Sequence, residues 1–402
     1  MNRPYIPFHK PSIGEEEVAE VVDTLRSGWL TTGSRTAQFE REFASYVQAP
    51  HALAVNSCTS GLHLALAGLG LGPGDEIITT PLTFCATVNT ILHVGATPVL
   101  ADVGADGNID PESIRQRITP RTRAIIPVHL AGLPCAMDEI WQLAQAHDLR
   151  IIEDAAHAVG TEYRGFPIGA GHPPSSTFSD AVAFSFYATK SLTTGEGGMV
   201  TTHNPELAAR MKILCLHGIS ADAWNRYSER GNWYYEVIEC GFKYNLSDLQ
   251  SAVGIHQLRR QEQFVEQRAR IAEVYRRELQ AVEELELPET RSDSRHAWHL
   301  YIIRLHLDQL AADRNEVIRV LREKGIGTSV HFIPIPLHRA YTGHAGLQKE
   351  NCPAAIELYE RSISLPIYPD MTEQTAVRVA NTLKRIVRTS RKQVVVSLAA
   401  AN

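Results

Sequence analysis

From His51 onward, short continuous apolar runs alternate with amphipathic stretches of roughly ten residues. HALAVNS reads as a strand, SGLHLALAGLG as a helix, EIITT as a strand, TFCATVNTILHVG as a helix and TPVLADV as a strand. RAIIPVHLAG and RIIEDAA continue the series on either side of a helix over MDEIWQLAQAHD. Short β-rich runs interleaved with helices predict an α/β fold whose sheet is mostly parallel and covered by helices on both faces. Ligands of such sheets sit beyond the carboxyl ends of the strands. Upstream, residues through Pro11 read as an extended arm, and GEEEVAEVVDTLRSG as a helix with acids in its first turn and Gly28 closing it. GWLTTGSRTAQFEREFASYV then places a Gly- and Thr-rich loop before a second amphipathic helix.

The pattern changes near Asn245. LSDLQSAVGIHQLRRQEQFVEQRARIAEVYRREL reads as one long helix with Ser247 and Gln250 in capping-box register. Beyond it, HAWHLYIIRLHL alternates like a half-buried strand, DRNEVIRVLREKGI is an amphipathic helix and GTSVHFIPI a further strand. The expected division is a large domain over 1–245, which includes the arm, and a smaller α+β domain over 246–402. RKQVVVSLAAAN, at the end, reads as a loosely held tail.

A chain of 402 residues fits about two domains, and 44% apolar with 21% charged residues is enough to bury a large core. A net charge of -6 with scattered basic residues gives no reason to expect nucleic acid or an anionic membrane as partner. No run approaches the roughly 20 apolar residues of a membrane span, and MNRPYIPFHKP lacks a signal-peptide core, so a cytoplasmic protein is expected. Six dispersed cysteines without CxxC or His-paired spacing predict free thiols and no metal site.

The candidate chemistry falls at strand ends. Asp154 closes the run RIIED; a buried carboxylate there needs a cation, which an ordinary salt bridge or a protonated ring nitrogen would supply. Lys190, in AFSFYATKSL, is followed by TTGEGGMV, whose glycines allow close backbone approach; alone, it reads equally well as a surface lysine. Ser57-Cys58-Thr59-Ser60-Gly61 lies between a strand and a helix, as a phosphate site or a simple cap. A lysine able to form an imine, a carboxylate to hold a pyridine nitrogen protonated and a phosphate cradle are the equipment of a pyridoxal phosphate enzyme.

GWLTTG, NSCTSGLH, EDAAHAVG, FSFYATKSLTTGEGGM, GFKYNLSDLQ and HFIPIPLH, in that order, resemble the DegT/DnrJ/EryC1/StrS sugar aminotransferase family over residues 5 to 388. The resemblance implies a fold-type I aminotransferase, a homodimer with shared active sites, pyridoxal 5'-phosphate as cofactor and L-glutamate as amino donor. It makes Lys190 the imine lysine and proton shuttle, Asp154 the partner of the ring nitrogen and His157 a neighbour of the ring hydroxyl. Phe84 would stack on the ring; Cys58, Thr59 and Ser185 would hold the phosphate, with Asn245 reaching in from the other subunit. Trp29 and Thr31 would border the sugar pocket, joined by Lys243, Tyr244, His331 and Phe332.

The acceptor implied is a nucleotide-linked 4-ketosugar. AIIPVHLAG, HAWHLYIIR and SLPIYPDMT favour the branch that makes UDP-4-amino-4-deoxy-L-arabinose. A 4-keto-6-deoxyhexose, a 3-ketosugar or a ketocyclitol is the alternative. Related sugar dehydratases carry His where Lys190 stands, and a cofactor-binding regulator without turnover is a third class. The chain departs from its relatives at Cys58, at Phe84 and in the lengthened loop GHPPSSTFSD.

Overall fold

The computed structural model describes residues 4–171, 177–219 and 235–392. Part of GHPPSSTFSD and nearly all of the expected C-terminal tail lie outside the described residues.

The strands are β1 (His51–Val55), β2 (Glu76–Thr79), β3 (Thr97–Leu100), β4 (Thr122–Ile126), β5 (Arg150–Asp154), β6 (Glu162–Tyr163), β7 (Phe166–Pro167), β8 (Ala181–Ser185), β9 (Gly198–Thr202), β10 (Leu285–Glu286), β11 (Ser294–Arg295), β12 (Tyr301–Leu305) and β13 (Ser362–Leu365). Seven of them form one sheet in the order β1-β9-β8-β5-β4-β2-β3. All its pairings are parallel except the two made by β9. Side chains alternate between two cores. Ala54, Ile125, Ile151, Val182, Phe184 and Met199 join the core that includes Phe39, Phe43, Ile140 and Ile255. Their neighbours Val55, Ala124, Ile126, Ile152, Ala183 and Val200 join the opposite core, with Leu62, Leu66 and Met211. Burial on both faces is why these strands read as unbroken apolar runs.

The smaller sheet, β10-β12-β13, packs with the helices Gln261–Leu279 and Glu373–Thr389 around a core of Ile271, Tyr275, Ile303, Leu365, Val379 and Leu383. Ile6 of the arm joins this core and exchanges backbone hydrogen bonds with Gly325 and Gly327 at 2.8 Å each. Leu246, Ile255 and Leu258, by contrast, belong to the first core of the large sheet. We propose drawing the domain division within the Gln261–Leu279 helix, where core membership changes, rather than at Asn245.

Three local expectations are corrected. The long helix is two helices, Asp248–Arg259 and Gln261–Leu279, meeting at Arg260, so that one packs on the large sheet and the other on the small. The Ser247–Gln250 capping box is present. GTSVHFIPI is not a strand: it makes a single bridge, Ser329 to Ser364, because Pro334 has no N–H to give a ladder and His331 and Phe332 turn into a cavity. β12 is buried along its whole length, since Tyr301, Ile303 and Leu305 face the small core while Ile302 packs with Leu130 and Ala131 of the large domain.

Candidate active site

Asp154 is the last residue of β5 and is 5% exposed. Its carboxylate accepts hydrogen bonds from Thr87 Oγ1 at 2.8 Å and from the Ala156 amide at 3.1 Å. Burial raises its pKa above the usual carboxylate range, although these two hydrogen bonds work against the rise. Lys190 follows β8 in a turn where its amide donates to the Tyr187 carbonyl at 2.9 Å. Burial brings its pKa down to about 8, against the pull of the Asp154 carboxylate.

The third component is the N-terminus of the helix Cys58–Gly68. The Ser57 hydroxyl accepts from the Ser60 amide at 3.1 Å and Ser60 Oγ donates to Asn56 Oδ1 at 2.5 Å, so these side chains are committed to the cap. The amides of Cys58 and Thr59, in the first turn, have no intrahelical acceptor, and the helix dipole adds positive potential there. Ser185, the last residue of β8, opens on the same space. Behind the turn, a Cβ on Gly198 would meet the Cys58 amide nitrogen at 2.6 Å, so β9 requires glycine to pass this closely. The Cys58 thiol points away from the amide end, toward the Ala183 carbonyl at 3.5 Å and Asp154 Oδ1 at 3.9 Å. Only its amide is available to a phosphate.

His157 is buried. Its Nδ1 accepts from the Ala131 amide at 3.3 Å, which places the proton of the neutral ring on Nε2. Burial, reinforced by the charges of Lys190 and His331, holds its pKa well below the ordinary imidazole value. The ring lies between Phe332, stacked at 5.7 Å, and His299 at 4.4 Å. Phe84 caps the helix Cys85–His93 and is 62% exposed, with its ring 6.3 Å from Phe332. His331 bonds to Ser364 Oγ through Nδ1 at 2.8 Å and stacks on Phe8 at 5.6 Å.

One cavity of ≈ 450 Å³ brings together Lys190, Asp154, His157, Cys58, Thr59, Ser185, Phe84, His331 and Phe332. Trp29, Thr31, Lys243, Tyr244 and Asn245 do not line it. They lie elsewhere: Asn245 Nδ2 donates to Thr32 Oγ1 at 2.7 Å, Lys243 bonds to the Asn245 side chain, and Asp248 N donates to the Thr31 carbonyl at 3.1 Å. Trp29 Nε1 donates to the Thr32 carbonyl, while the Tyr244 hydroxyl meets His63 Nδ1 at 3.0 Å.

The sequence reading missed Phe8, His9 and His299, which line the cavity, and Thr87, which holds Asp154. The apolar arm YIPFHKP was a signal for the first two; nothing local marked Thr87 or His299. No group of three His, Cys, Asp or Glu residues able to hold a metal occurs among the described residues.

The profile of the DegT/DnrJ/EryC1/StrS aminotransferase family matches residues 11–384. This chain belongs to that family. It is a pyridoxal phosphate-dependent sugar aminotransferase with the fold-type I architecture. The chain is 48% identical to the spore coat polysaccharide biosynthesis protein SpsC of Bacillus subtilis, over 96% of this chain and 97% of SpsC. The structure of Spr1654 from Streptococcus pneumoniae in its PMP form superposes with a TM-score of 0.87 at 34% identity, covering 96% of this chain and 99% of that one. A PLP form of the same protein matches equally well. Helicobacter pylori PseC, an aminotransferase involved in the biosynthesis of pseudoaminic acid, superposes with a TM-score of 0.88 at 29% identity, over 96% of this chain and all of that one. Among the described residues no helix is long and apolar enough to cross a membrane.

The cavity of this family member suits the cofactor on its own chemistry. Asp154 is a buried carboxylate with two neutral donors and a raised pKa, the environment that a cationic ring nitrogen would relieve. The amides of Cys58 and Thr59 could take a phosphate, and Phe84 offers an exposed aromatic face at the same cavity.

Proposed function

We propose that this aminotransferase moves the amino group of L-glutamate to the C4 ketone of a nucleotide-linked sugar, with a UDP-linked 4-ketopentose as the leading acceptor. Glutamate leaves as 2-oxoglutarate, and the ketone leaves as the amine. The observation that carries the reading is the opening of Lys190, Asp154 and the amide end of the Cys58–Gly68 helix onto a single cavity.

In this reading the cofactor, when bound, supplies the electron sink for the charge left when the donor's α-hydrogen departs. Lys190 would hold the cofactor through its Nζ; once the donor's amine has taken that place, the freed Nζ would accept the proton from the donor's α-carbon and later give it up again. A pKa near 8 suits a group that must accept and release a proton near neutrality. Asp154 keeps the ring nitrogen protonated. The Cys58 and Thr59 amides with Ser185 would hold the phosphate, His157 would offer its Nε2 proton to the ring hydroxyl, and Phe84 would lie against the ring.

His331 and Phe332 serve the sugar. Asn245, with Trp29, Thr31 and Lys243, lies around Thr32 outside the chain's own cavity, while Tyr244 sits on His63; in a homodimer these residues would serve the site of the other subunit. A nucleotide-linked acceptor fits a cytoplasmic enzyme, and the similarity to SpsC, of spore coat polysaccharide biosynthesis, and to PseC, of pseudoaminic acid biosynthesis, favours a sugar ketone.

The test is spectroscopic. Glutamate should convert the bound cofactor to its amine form, and nucleotide ketosugars are then added singly. Restoration by the UDP-linked 4-ketopentose alone supports the leading acceptor. Restoration only by a 4-keto-6-deoxyhexose, a 3-ketosugar or a ketocyclitol moves the function to that class. A Lys190→Ala variant that still turned over at the wild-type rate would sink the catalytic assignment, and no conversion by any amino acid would favour a regulator.

A further inference from the structure

Arg268 lies in the Gln261–Leu279 helix and is fully buried, at 0% exposure the first in volume among the described side chains so enclosed. A guanidinium is costly to bury unless a counter-ion or hydrogen bonds replace its water. Among the described residues Arg268 makes no ion pair. Instead its Nη1 donates to three carbonyls, those of Trp298 at 3.3 Å, His299 at 3.2 Å and Ile367 at 3.0 Å. Its Nε and Nη2 are buried without a protein partner. Such a cage is a structural commitment rather than a by-product of packing an apolar helix.

The caged carbonyls belong to segments that wall the active cavity. His299 and Ile367 both line it. The backbone between them and Arg268 is held in a conformation it would not choose alone: Trp298 has a φ of 50°, in the left-handed region that favours glycine. The turn thus set delivers the His299 ring to 4.4 Å from His157, whose other face rests on Phe332. Shape is passed from a permanent cation through a carbonyl to one imidazole and then to the next.

We propose that Arg268 is a positioning residue: by holding the Trp298, His299 and Ile367 carbonyls it seats His299 against His157 and fixes the wall of the cavity that faces the cofactor. The inference rests on the proposed placement of His157 beside the bound cofactor. Displacement of a reacting group by about 1 Å can cost roughly 100-fold in rate, so a residue outside the cavity can govern the chemistry inside it.

Four proteins test this: Arg268→Met, Arg268→Lys, His299→Ala and the double variant Arg268→Met/His299→Ala. Each is loaded with cofactor, and its induced circular dichroism band and its glutamate half-reaction are measured. Arg268→Met should change the band and slow the half-reaction by about 100-fold. Arg268→Lys, whose ammonium carries three donors for the three carbonyls, should restore most of both. The double variant should be no worse than the more affected single one, because both act on one element.

Multiplication of the two single effects, or an Arg268→Met band and rate equal to wild type, would overturn the proposal. If Arg268→Met does not fold, Arg268→Lys must show a smaller change in the same direction that vanishes on a His299→Ala background; a change that persists there also overturns it. The dichroism band needs no turnover. Wild-type protein that binds cofactor but ignores glutamate would therefore defeat the proposed function while leaving the role of Arg268 open to this measurement.

Discussion

Thr87 donates its hydroxyl hydrogen to Asp154 across 2.8 Å of buried space, tying the helix Cys85–His93 to the end of β5. A hydrogen bond to a charged group contributes roughly 1.5–3 kcal/mol. Thr87→Val keeps the shape and removes the donor, leaving the Ala156 amide and the weak Cys58 thiol on the carboxylate. The glutamate half-reaction should slow by about tenfold, the low end of that range. Single-turnover absorbance measurements give the rate, and a Thr87→Ser variant at wild-type rate would locate the effect in the hydroxyl.

Asp154 carries a second prediction, in stability. Its folded pKa is raised by burial. A group whose folded pKa is raised contributes stability below its unfolded pKa and loses it as pH rises through the folded value. Cofactor-free wild type therefore bears a penalty at neutral pH that Asp154→Asn lacks; the Asn Oδ1 can accept from Ala156 while the Thr87 hydroxyl rotates to accept from Nδ2. Without cofactor, Asp154→Asn should melt higher than wild type at pH 7, and the gap should close as pH falls toward about 4. With cofactor the order should reverse, because only the carboxylate gains a cationic partner. Equal cofactor-induced shifts in melting temperature for the two proteins would refute the pairing.

Lys190 titrates near 8 because burial disfavours its ammonium form. Capture of an aldehyde needs the neutral amine. The rate at which cofactor-free protein takes up pyridoxal phosphate should rise with pH and level off above about 8, instead of climbing toward the ordinary lysine value near 10.4. In stability the sign is opposite to that of Asp154. A lowered lysine pKa penalises the folded state below about 8, and the penalty fades as pH rises toward the unfolded value. Lys190→Met should thus raise the melting temperature of the cofactor-free protein at pH 7 and leave it unchanged near pH 10.5. Stopped-flow absorbance and thermal melts follow the two effects.

The parts legible in the sequence were those written in local pattern. The strand end at Asp154 and the strand-to-helix turn at Ser57 followed from apolar runs and turn residues, because a strand buried on both faces has few other ways to read. What stayed hidden depends on distant partners. Thr87 is one threonine in an apolar helix until β5 brings Asp154 beside it, 67 residues away in sequence. His9 enters the cavity only because Ile6 anchors the arm on the small-domain core. The break at Arg260 was invisible because both flanking helices keep their apolar spacing; Arg260 is instead engaged by Glu17 at 3.1 Å and Ser12 at 3.0 Å.

Gly198 offers a test of the phosphate end that replaces no candidate ligand. A methyl group there would lie 2.6 Å from the Cys58 nitrogen and 2.7 Å from both the Phe184 carbonyl oxygen and the Ser57 carbonyl carbon. All three are backbone atoms that cannot swing aside. Gly198→Ala should cost about 1–3 kcal/mol through overpacking and push the first turn of the Cys58–Gly68 helix out of line. Affinity for pyridoxal phosphate should then fall more than affinity for pyridoxal, which lacks the phosphate. Equal losses for both would mean that the turn does not hold the phosphate.

Phe84 puts the cofactor and substrate roles of the cavity wall in competition. The residue is 62% exposed at the end of the loop 80–84 and its ring is tilted 51° to Phe332, so it gains nothing from the protein core by being aromatic. A planar ligand covering that face would contribute about 0.5–1.5 kcal/mol beyond area burial. Phe84→Ala should weaken pyridoxal phosphate binding by about tenfold once lost burial is added. Phe84→Trp, which preserves a flat apolar face, should bind as wild type does. Phe332→Ala is the comparison: the ring is stacked on His157 and is proposed to serve the sugar, so its loss should spare cofactor affinity and raise the KM for the ketosugar. Fluorescence titration of the cofactor and steady-state kinetics separate the two. If Phe84→Ala changed only the sugar KM, both rings would belong to the acceptor wall, and the ring face of the cofactor would have to be covered by another residue.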